Sequence, residues 1–293
     1  MWDARGNSYR VPDTLPHDPA DVTRMNIQRP WLLATDMDGT VIPLEDTPRR
    51  RREVAAFREA VTGREDLLLA YVTGRHLALA EDGIQAFGLP RPDLLATDVG
   101  TAVYRWTGAE FRPDPEYADL MRDAMGGVTA GDLRAALLPD PALELQEEDR
   151  QGPHKVSFYV DPGVDEAVLL DRLRPILAEA GARVALVFSR DELRGVGLLD
   201  VLPRGVAKDS AVRFLHDRTG VEEERLVYAG DSGNDRAAIL AGYRVVVVGN
   251  APEGLKEELR EAARERRSLD RLYFAKEPYA AGVLEGLRHW GVV

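Results

Sequence analysis

The chain has no cysteine, which excludes disulfides, thiolate metal ligands and a cysteine nucleophile. It has no apolar run long enough to span a bilayer. The apolar core of a secretory signal is missing too: residues 1–29 are polar, rich in Asp and Pro, and read as a loose N-terminal arm. These absences lead to the expectation of a cytoplasmic protein. Basic charge is also scarce. Against 50 acidic residues stand 38 basic ones, a formal net charge of −12, which argues against nucleic acid or an anionic membrane as partner. A phosphorylated small molecule stays open, provided that local cations and backbone amides hold it against the overall field. What is present is apolar residue in quantity, 44% of 293, enough for one large domain or two ordinary ones.

Near-continuous apolar segments alternate with helical ones in two stretches. The first has strands expected at 32–35, 67–72 and 94–97, with helices at 53–61 and 77–87. The second has helices at 206–218, 235–241, 252–267 and 279–290, with strands at 226–229 and 244–248. Such alternation predicts a parallel sheet covered on both faces. The middle is punctuated by proline at 113, 115, 139 and 141. Strands at 143–146, 156–160 and 184–188 and helices at 117–125, 132–138 and 164–180 follow no strict alternation there, as in an α+β unit with an antiparallel sheet. The fold class expected is α/β: a Rossmann-like core from residues 30–107 and 196–293, split by an inserted α+β domain at 108–195.

Open parallel sheets bind ligands at the carboxyl ends of their strands, and four segments place chemistry there. Asp36-Met37-Asp38-Gly39-Thr40 follows Trp31-Leu32-Leu33-Ala34. Two carboxylates this close repel unless one keeps its proton or a divalent cation lies between them; the alternative is a helix cap or an Asx turn. Thr73-Gly74-Arg75 ends the second strand, where Thr73 could equally cap the next helix. Lys208 follows the Arg204-Gly205 turn, either solvated at a helix start or reaching toward a phosphate. Gly230-Asp231-Ser232-Gly233-Asn234-Asp235 puts two more carboxylates between a strand and a helix, a pattern that favours metal binding over a solvated turn. His17, His216 and His289 lack ligand spacing and are given no role.

In order, spacing and setting these segments resemble the haloacid dehalogenase-like (HAD) phosphatases, and the resemblance covers nearly all of the chain beyond the arm. The insertion is similar to the C2B-type cap of the sugar-phosphatase branch. Pro153-His154-Lys155-Val156-Ser157-Phe158-Tyr159-Val160, Val246-Val247-Val248-Gly249-Asn250-Ala251 and residues 280–287 are similar to segments of sucrose-6-phosphate phosphatases and the related mannosylfructose-phosphate phosphatases.

The resemblance implies hydrolysis of a sugar phosphate through an aspartyl-phosphate. Asp36 would be the nucleophile and Asp38 the general acid and base. Thr73, Lys208 and main-chain amides near Met37 and Gly74 would hold the transferring oxygens. Mg²⁺ would bind the Asp36 and Asp231 carboxylates and the Asp38 carbonyl. Asp235 would orient Lys208 or a metal-bound water, and Asn234 would support the phosphate side. For the sugar, Lys155 either faces the cleft or is an exposed strand-edge lysine, and Arg75 either reaches a substrate hydroxyl or pairs with a nearby carboxylate. Asp98, Gly100 and Thr101 line the floor of the site or form a simple turn. Two rival functions share the sequence: a phosphotransferase like the eukaryotic phosphomannomutases, and a non-catalytic partner of a glycosyltransferase. A glycosyltransferase of the same pathway is also the partner expected of an active enzyme.

Overall fold

The computed structural model describes residues 31–191 and 195–293; the N-terminal arm lies outside the described residues. Eight strands form one sheet. In chain order they are β1 (Trp31–Thr35), β2 (Leu67–Val72), β3 (Leu94–Thr97), β4 (Ala102–Trp106) and β5 (Phe111–Pro113), then, after an insertion, three more. The insertion carries β6 (Leu143–Leu145), β7 (Val156–Val160), β8 (Val184–Asp191) and β9 (Val196–Pro203), and the chain returns through β10 (Leu226–Gly230), β11 (Arg244–Val247) and β12 (Leu272–Phe274). The large sheet runs β12-β11-β10-β1-β2-β3-β4-β5. It is parallel from β12 to β3 and antiparallel from β3 through β5.

The chain winds outward from β1 in one direction through β2 and β3, and in the other through β10, β11 and β12. The strand order therefore reverses beside β1, and a crevice opens between the carboxyl ends of β1 and β10. Register fixes what faces it: Thr35 lies opposite Ala229 and Tyr71, so the residues after these strands emerge side by side.

Helices cover both faces. Against Leu33, Leu69, Tyr71 and Val227 pack α1 (Pro48–Val61) and α2 (Leu77–Phe87). Each has a defined start or stop: Thr47 Oγ1 accepts the Arg50 amide with Pro48 at the first position, and Gly88 closes α2 in the left-handed conformation. The opposite face, with Leu32, Ala34, Val72 and Tyr228, is covered by α3 (Pro115–Ala124) through Tyr117 and Met121.

The insertion builds its own core from α4 (Ala130–Leu137) and α5 (Glu166–Glu179) on one face of an antiparallel sheet ordered β6-β7-β9-β8. Beyond it, α6 (Lys208–Thr219), α7 (Arg236–Ile239) and α8 (Glu253–Arg266) return to the face that carries α3, and α9 (Tyr279–His289) to the other. Among the described residues no helix is long and apolar enough to cross a membrane.

Strand pairing divides the chain differently from the boundaries expected at 108 and 196. Residues 111–124 belong with the large sheet, because β5 extends it and Tyr117 and Met121 fill its core. β9 pairs with β7 and β8, so the second sheet holds residues up to Pro203. β9 runs to Pro203, and the turn at Arg204-Gly205 leads from it into α6, which opens on Lys208. The helix expected at 235–241 is a tight turn at Gly233–Asp235 followed by the short α7.

Candidate active site

β1 delivers Asp36, α6 opens on Lys208, and β10 leads to Asp231 and Asp235. Lys208, without solvent exposure, reaches Asp36 Oδ1 at 2.8 Å and Asp235 Oδ1 at 2.7 Å. The carboxylates of Asp36, Asp231 and Asp235 offer ligand atoms all within 4.8 Å of one another. Four residues from distant segments thus converge on the crevice. One cation faces three carboxylates, and burial sets the consequences. Burial and then the neighbouring Asp235 push Asp36 up to about 8 against the pull of Lys208. Burial likewise raises Asp231 to about 6, although Thr40 Oγ1 donates to its Oδ1 at 2.7 Å. For Lys208 burial works to remove the proton, but the two carboxylates outweigh it and hold its pKa above the ordinary value.

Each carboxylate is fixed differently. Asp36 Oδ1 accepts the Met37 amide at 2.7 Å as well as Lys208, and among the described residues no hydrogen bond reaches Oδ2, so one oxygen is free for chemistry. The Met37 N–H, expected to hold a phosphate oxygen, is engaged by Asp36 itself. Asp235 is saturated. Its Oδ1 accepts from Lys208 and from the Tyr228 hydroxyl, each at 2.7 Å, while Oδ2 accepts the amides of Asp231 and Ser232 at 3.1 and 3.0 Å and the Ser232 hydroxyl at 3.1 Å. Little lone-pair capacity remains for a metal; its geometry is that of an orienting group. Asp231 instead faces the turn at Gly39, whose φ of +74° and lack of a side chain leave the room that a Cβ would take from its carboxylate.

A hard divalent cation fits this donor set. The ligand atoms are carboxylate oxygens, which suit Mg²⁺, and the negative charge gathered there exceeds what Lys208 balances.

Asp38 does not join the carboxylate cluster: its carboxylate is held by Arg75 through a bidentate pair, Nε to Oδ2 at 2.7 Å and Nη2 to Oδ1 at 2.6 Å, with Nη1 of Arg75 on the Leu79 carbonyl at 2.8 Å. Of the two readings of Arg75, the carboxylate partner is the one seen. Gly83 makes room for this guanidinium, since a Cβ there would meet Nη1 at 2.5 Å. Thr73 is buried; its Oγ1 accepts the Arg75 amide at 3.1 Å, and among the described residues no acceptor takes its own proton. Gly74 lies beside it at the end of β2. Asn234 is exposed, its Oδ1 taking the Ser232 hydroxyl at 2.9 Å. Lys155 is neither on an exposed edge nor free in a cleft: it is 8% exposed and pairs with Asp98 at 3.0 Å.

Sequence reading missed three contributors. Tyr228 lies on a fully buried central strand, and a buried phenol needs a partner for its hydroxyl, which is a signal the sequence carries. Thr40 and Asn250 are small polar residues in or after the motifs. Asn250 Nδ2 donates to the Gly39 carbonyl at 2.7 Å and its Oδ1 accepts the Tyr279 amide at 2.8 Å, tying the turn after Asp38 to the start of α9.

Comparison with known proteins gives the family and the fold. The sequence profile of the sucrose-6F-phosphate phosphohydrolase family matches residues 29–291. A HAD-like hydrolase of Nitrosococcus oceani is 33% identical over 270 residues, covering 88% of this chain and 71% of that protein. The mannosylfructose-phosphate phosphatase of Agrobacterium fabrum is 31% identical over 266 residues, with 89% and 97% covered. Among solved structures, the sucrose-phosphatase of Synechocystis sp. PCC6803 in complex with sucrose and phosphate superposes with a TM-score of 0.64 at 27% identity, over 90% of this chain and 98% of that one.

Proposed function

The chain belongs to the sucrose-6F-phosphate phosphohydrolase family of HAD phosphatases, and from that premise we propose that it removes the phosphate from a phosphorylated disaccharide such as sucrose-6F-phosphate, through an aspartyl-phosphate on Asp36. The observation that carries the reading is Lys208, buried between Asp36 and Asp235 where the sheet order reverses.

The chemistry divides into two displacements. Asp36 attacks phosphorus; the new O–P bond forms as the bond from phosphorus to the sugar oxygen breaks, and Asp38 gives that oxygen its proton. Water then attacks the acyl-phosphate, Asp38 takes the water proton, and the Asp36 carboxylate is released with inorganic phosphate. Asp38 must leave Arg75 to do this, so Arg75 holds the acid–base group in reserve. Lys208 meets the charge on the transferring oxygens, with the Thr73 hydroxyl as a second donor. Asp235 and Tyr228 keep the ammonium aimed at Asp36. Mg²⁺ would be held by the Asp36 and Asp231 carboxylates and the Asp38 carbonyl; when bound it screens the repulsion between anionic nucleophile and anionic phosphate. The reaction that supplies such a substrate is glycosyl transfer onto a sugar phosphate, so a glycosyltransferase is the partner enzyme this reading implies.

The test is inorganic phosphate release from sucrose-6F-phosphate, mannosylfructose-phosphate, glucose-6-phosphate, mannose-6-phosphate and a nucleotide monophosphate, with Mg²⁺ and with chelator. Release from a disaccharide phosphate that needs the metal, with a preference of about tenfold or more over the others, is expected. An isomeric product without release would show phosphotransfer instead, and no turnover of any compound would overturn the reading.

A further inference from the structure

Between the two domains lies a buried ion pair that the chemistry above does not use. Asp98, after β3, is 1% exposed, and Lys155, immediately before β7, is 8% exposed; Nζ meets Oδ1 at 3.0 Å. Each residue sits in a tight turn. On the core side Asp98 and Val99 have φ of 52° and 60°, the left-handed region that β-branched valine disfavours. Thr97 Oγ1 donates to Asp98 Oδ2 at 3.0 Å. On the cap side Gly152 and Lys155 bond to each other's main chain, and a Cβ on Gly152 would lie 3.2 Å from Asp98 Oδ2. His154 Nδ1 approaches the Thr101 carbonyl at 3.2 Å, a second contact between the same two turns.

The core turn reaches the reacting end of the molecule. The Asp98 amide donates to the Arg75 carbonyl at 2.9 Å and the Val99 amide to the Thr73 carbonyl at 3.1 Å. At Gly100, φ +91°, a Cβ would stand 2.6 Å from the Ala207 carbonyl and 3.1 Å from Lys208 Cα. One strained turn therefore touches the segments that carry Thr73, Arg75 and Lys208, and through Lys155 it touches the strand whose Ser157 and Tyr159 lie on the face that the cap helices leave uncovered. A charge pair shielded from water holds its geometry far better than one on the surface.

We propose that the Asp98–Lys155 pair is the strut that sets the cap at its working height over the phosphate site, and that Asp98 is a positioning and specificity residue for sugar phosphates. The proposal rests on the phosphatase reading. Asp98 acts through Lys155 and touches no reacting atom. A substrate whose leaving group must be gripped by the cap depends on the strut; an aryl phosphate, whose leaving group needs no such grip, does not.

Asp98→Asn preserves the shape and removes the charge. Turnover of sucrose-6F-phosphate and of p-nitrophenyl phosphate is measured, together with amide hydrogen exchange over residues 152–158. The expected result is a fall of about tenfold in kcat/KM for the sugar phosphate against less than about threefold for the aryl ester, with exchange at Gly152 and Lys155 about tenfold faster. Equal losses on both substrates, or unchanged exchange, overturn the strut. Because Asp98→Asn leaves Lys155 buried without its partner, the neutral pair Asp98→Asn/Lys155→Met is measured alongside: it should keep the faster exchange and the sugar-phosphate defect, and restoration of both would overturn the proposal. A wild-type enzyme that releases phosphate from neither substrate sinks the phosphatase reading, and the exchange measurement then still decides whether the pair holds the two turns together.

Discussion

Lys208 and Lys155 are both buried, yet their surroundings differ in one respect that decides what each can do. Among the described residues Lys155 meets a single carboxylate, Asp98, and the charges balance. Lys208 meets two directly, with Asp231 close behind, and they do not. A balanced buried pair has nothing further to attract and serves as a joint. An unbalanced cluster at a crevice is suited to a divalent cation and, with it, to the anionic substrate of the proposed function. Solitary lysines beside turns look alike in sequence; the number of carboxylates around each separates the proposed reactive centre from the proposed strut.

The largest effect that could break this contrast is on Lys208. In Lys208→Met two buried carboxylates lose the cation that contacts them both, and a stability loss of about 3–5 kcal/mol in urea unfolding is expected. A loss of about 100-fold or more in turnover is expected too, on sugar and aryl phosphates alike. Retained turnover of either would erase the distinction between the two lysines.

A second test uses pH. Asp36 at about 8 and Asp231 at about 6 lie above their ordinary 3.8, chiefly through burial. In the metal-free protein these groups keep protons that the unfolded chain has already lost. The unfolded state therefore binds fewer protons between about pH 4 and pH 8, and stability falls as pH rises through that window. Mg²⁺ favours the charged forms and should reverse the loss, so its addition should raise Tm more at about pH 8 than at about pH 5.5. An equal rise at both, or none at either, would contradict the unbalanced cluster.

The smallest effect concerns the support behind Lys208. Tyr228→Phe keeps the ring in the sheet core and removes one donor from Asp235. A loss of about 1 kcal/mol is expected, with kcat reduced and KM little changed. A KM that rises while kcat holds would mean that Tyr228 does not act through Lys208.

The core was legible because its signals are local. Asp36, Asp231 and Lys208 each follow an apolar strand or a glycine turn, and the register of β1 with β10 and β2 brings those ends together without help from distant sequence. The parallel strands β1, β2 and β3 show as continuous apolar runs for the same reason, being covered on both faces. Short strands at the sheet margin, β5 and β12, carry three residues each, too few for a periodic pattern. No strand is expected at 196–203, because its apolar residues fall in adjacent pairs without a period of two; only pairing with β7 and β8 assigns β9 to the cap. Partners across the fold were the least legible. Nothing adjacent to Arg75 announces Asp38, and nothing near Lys155 announces Asp98, since both pairs close over long separations in sequence.

The central claim is that the unbalanced cluster is a phosphoryl-transfer centre with Asp36 as its nucleophile. The measurement that bears on it most directly is Mg²⁺-dependent phosphate release from sucrose-6F-phosphate by the wild type and by Asp36→Asn, with folding of both checked by circular dichroism. The account predicts a folded variant whose release falls by at least about 1,000-fold, the scale on which a nucleophile is lost. A folded Asp36→Asn protein that releases phosphate at the wild-type rate would contradict it.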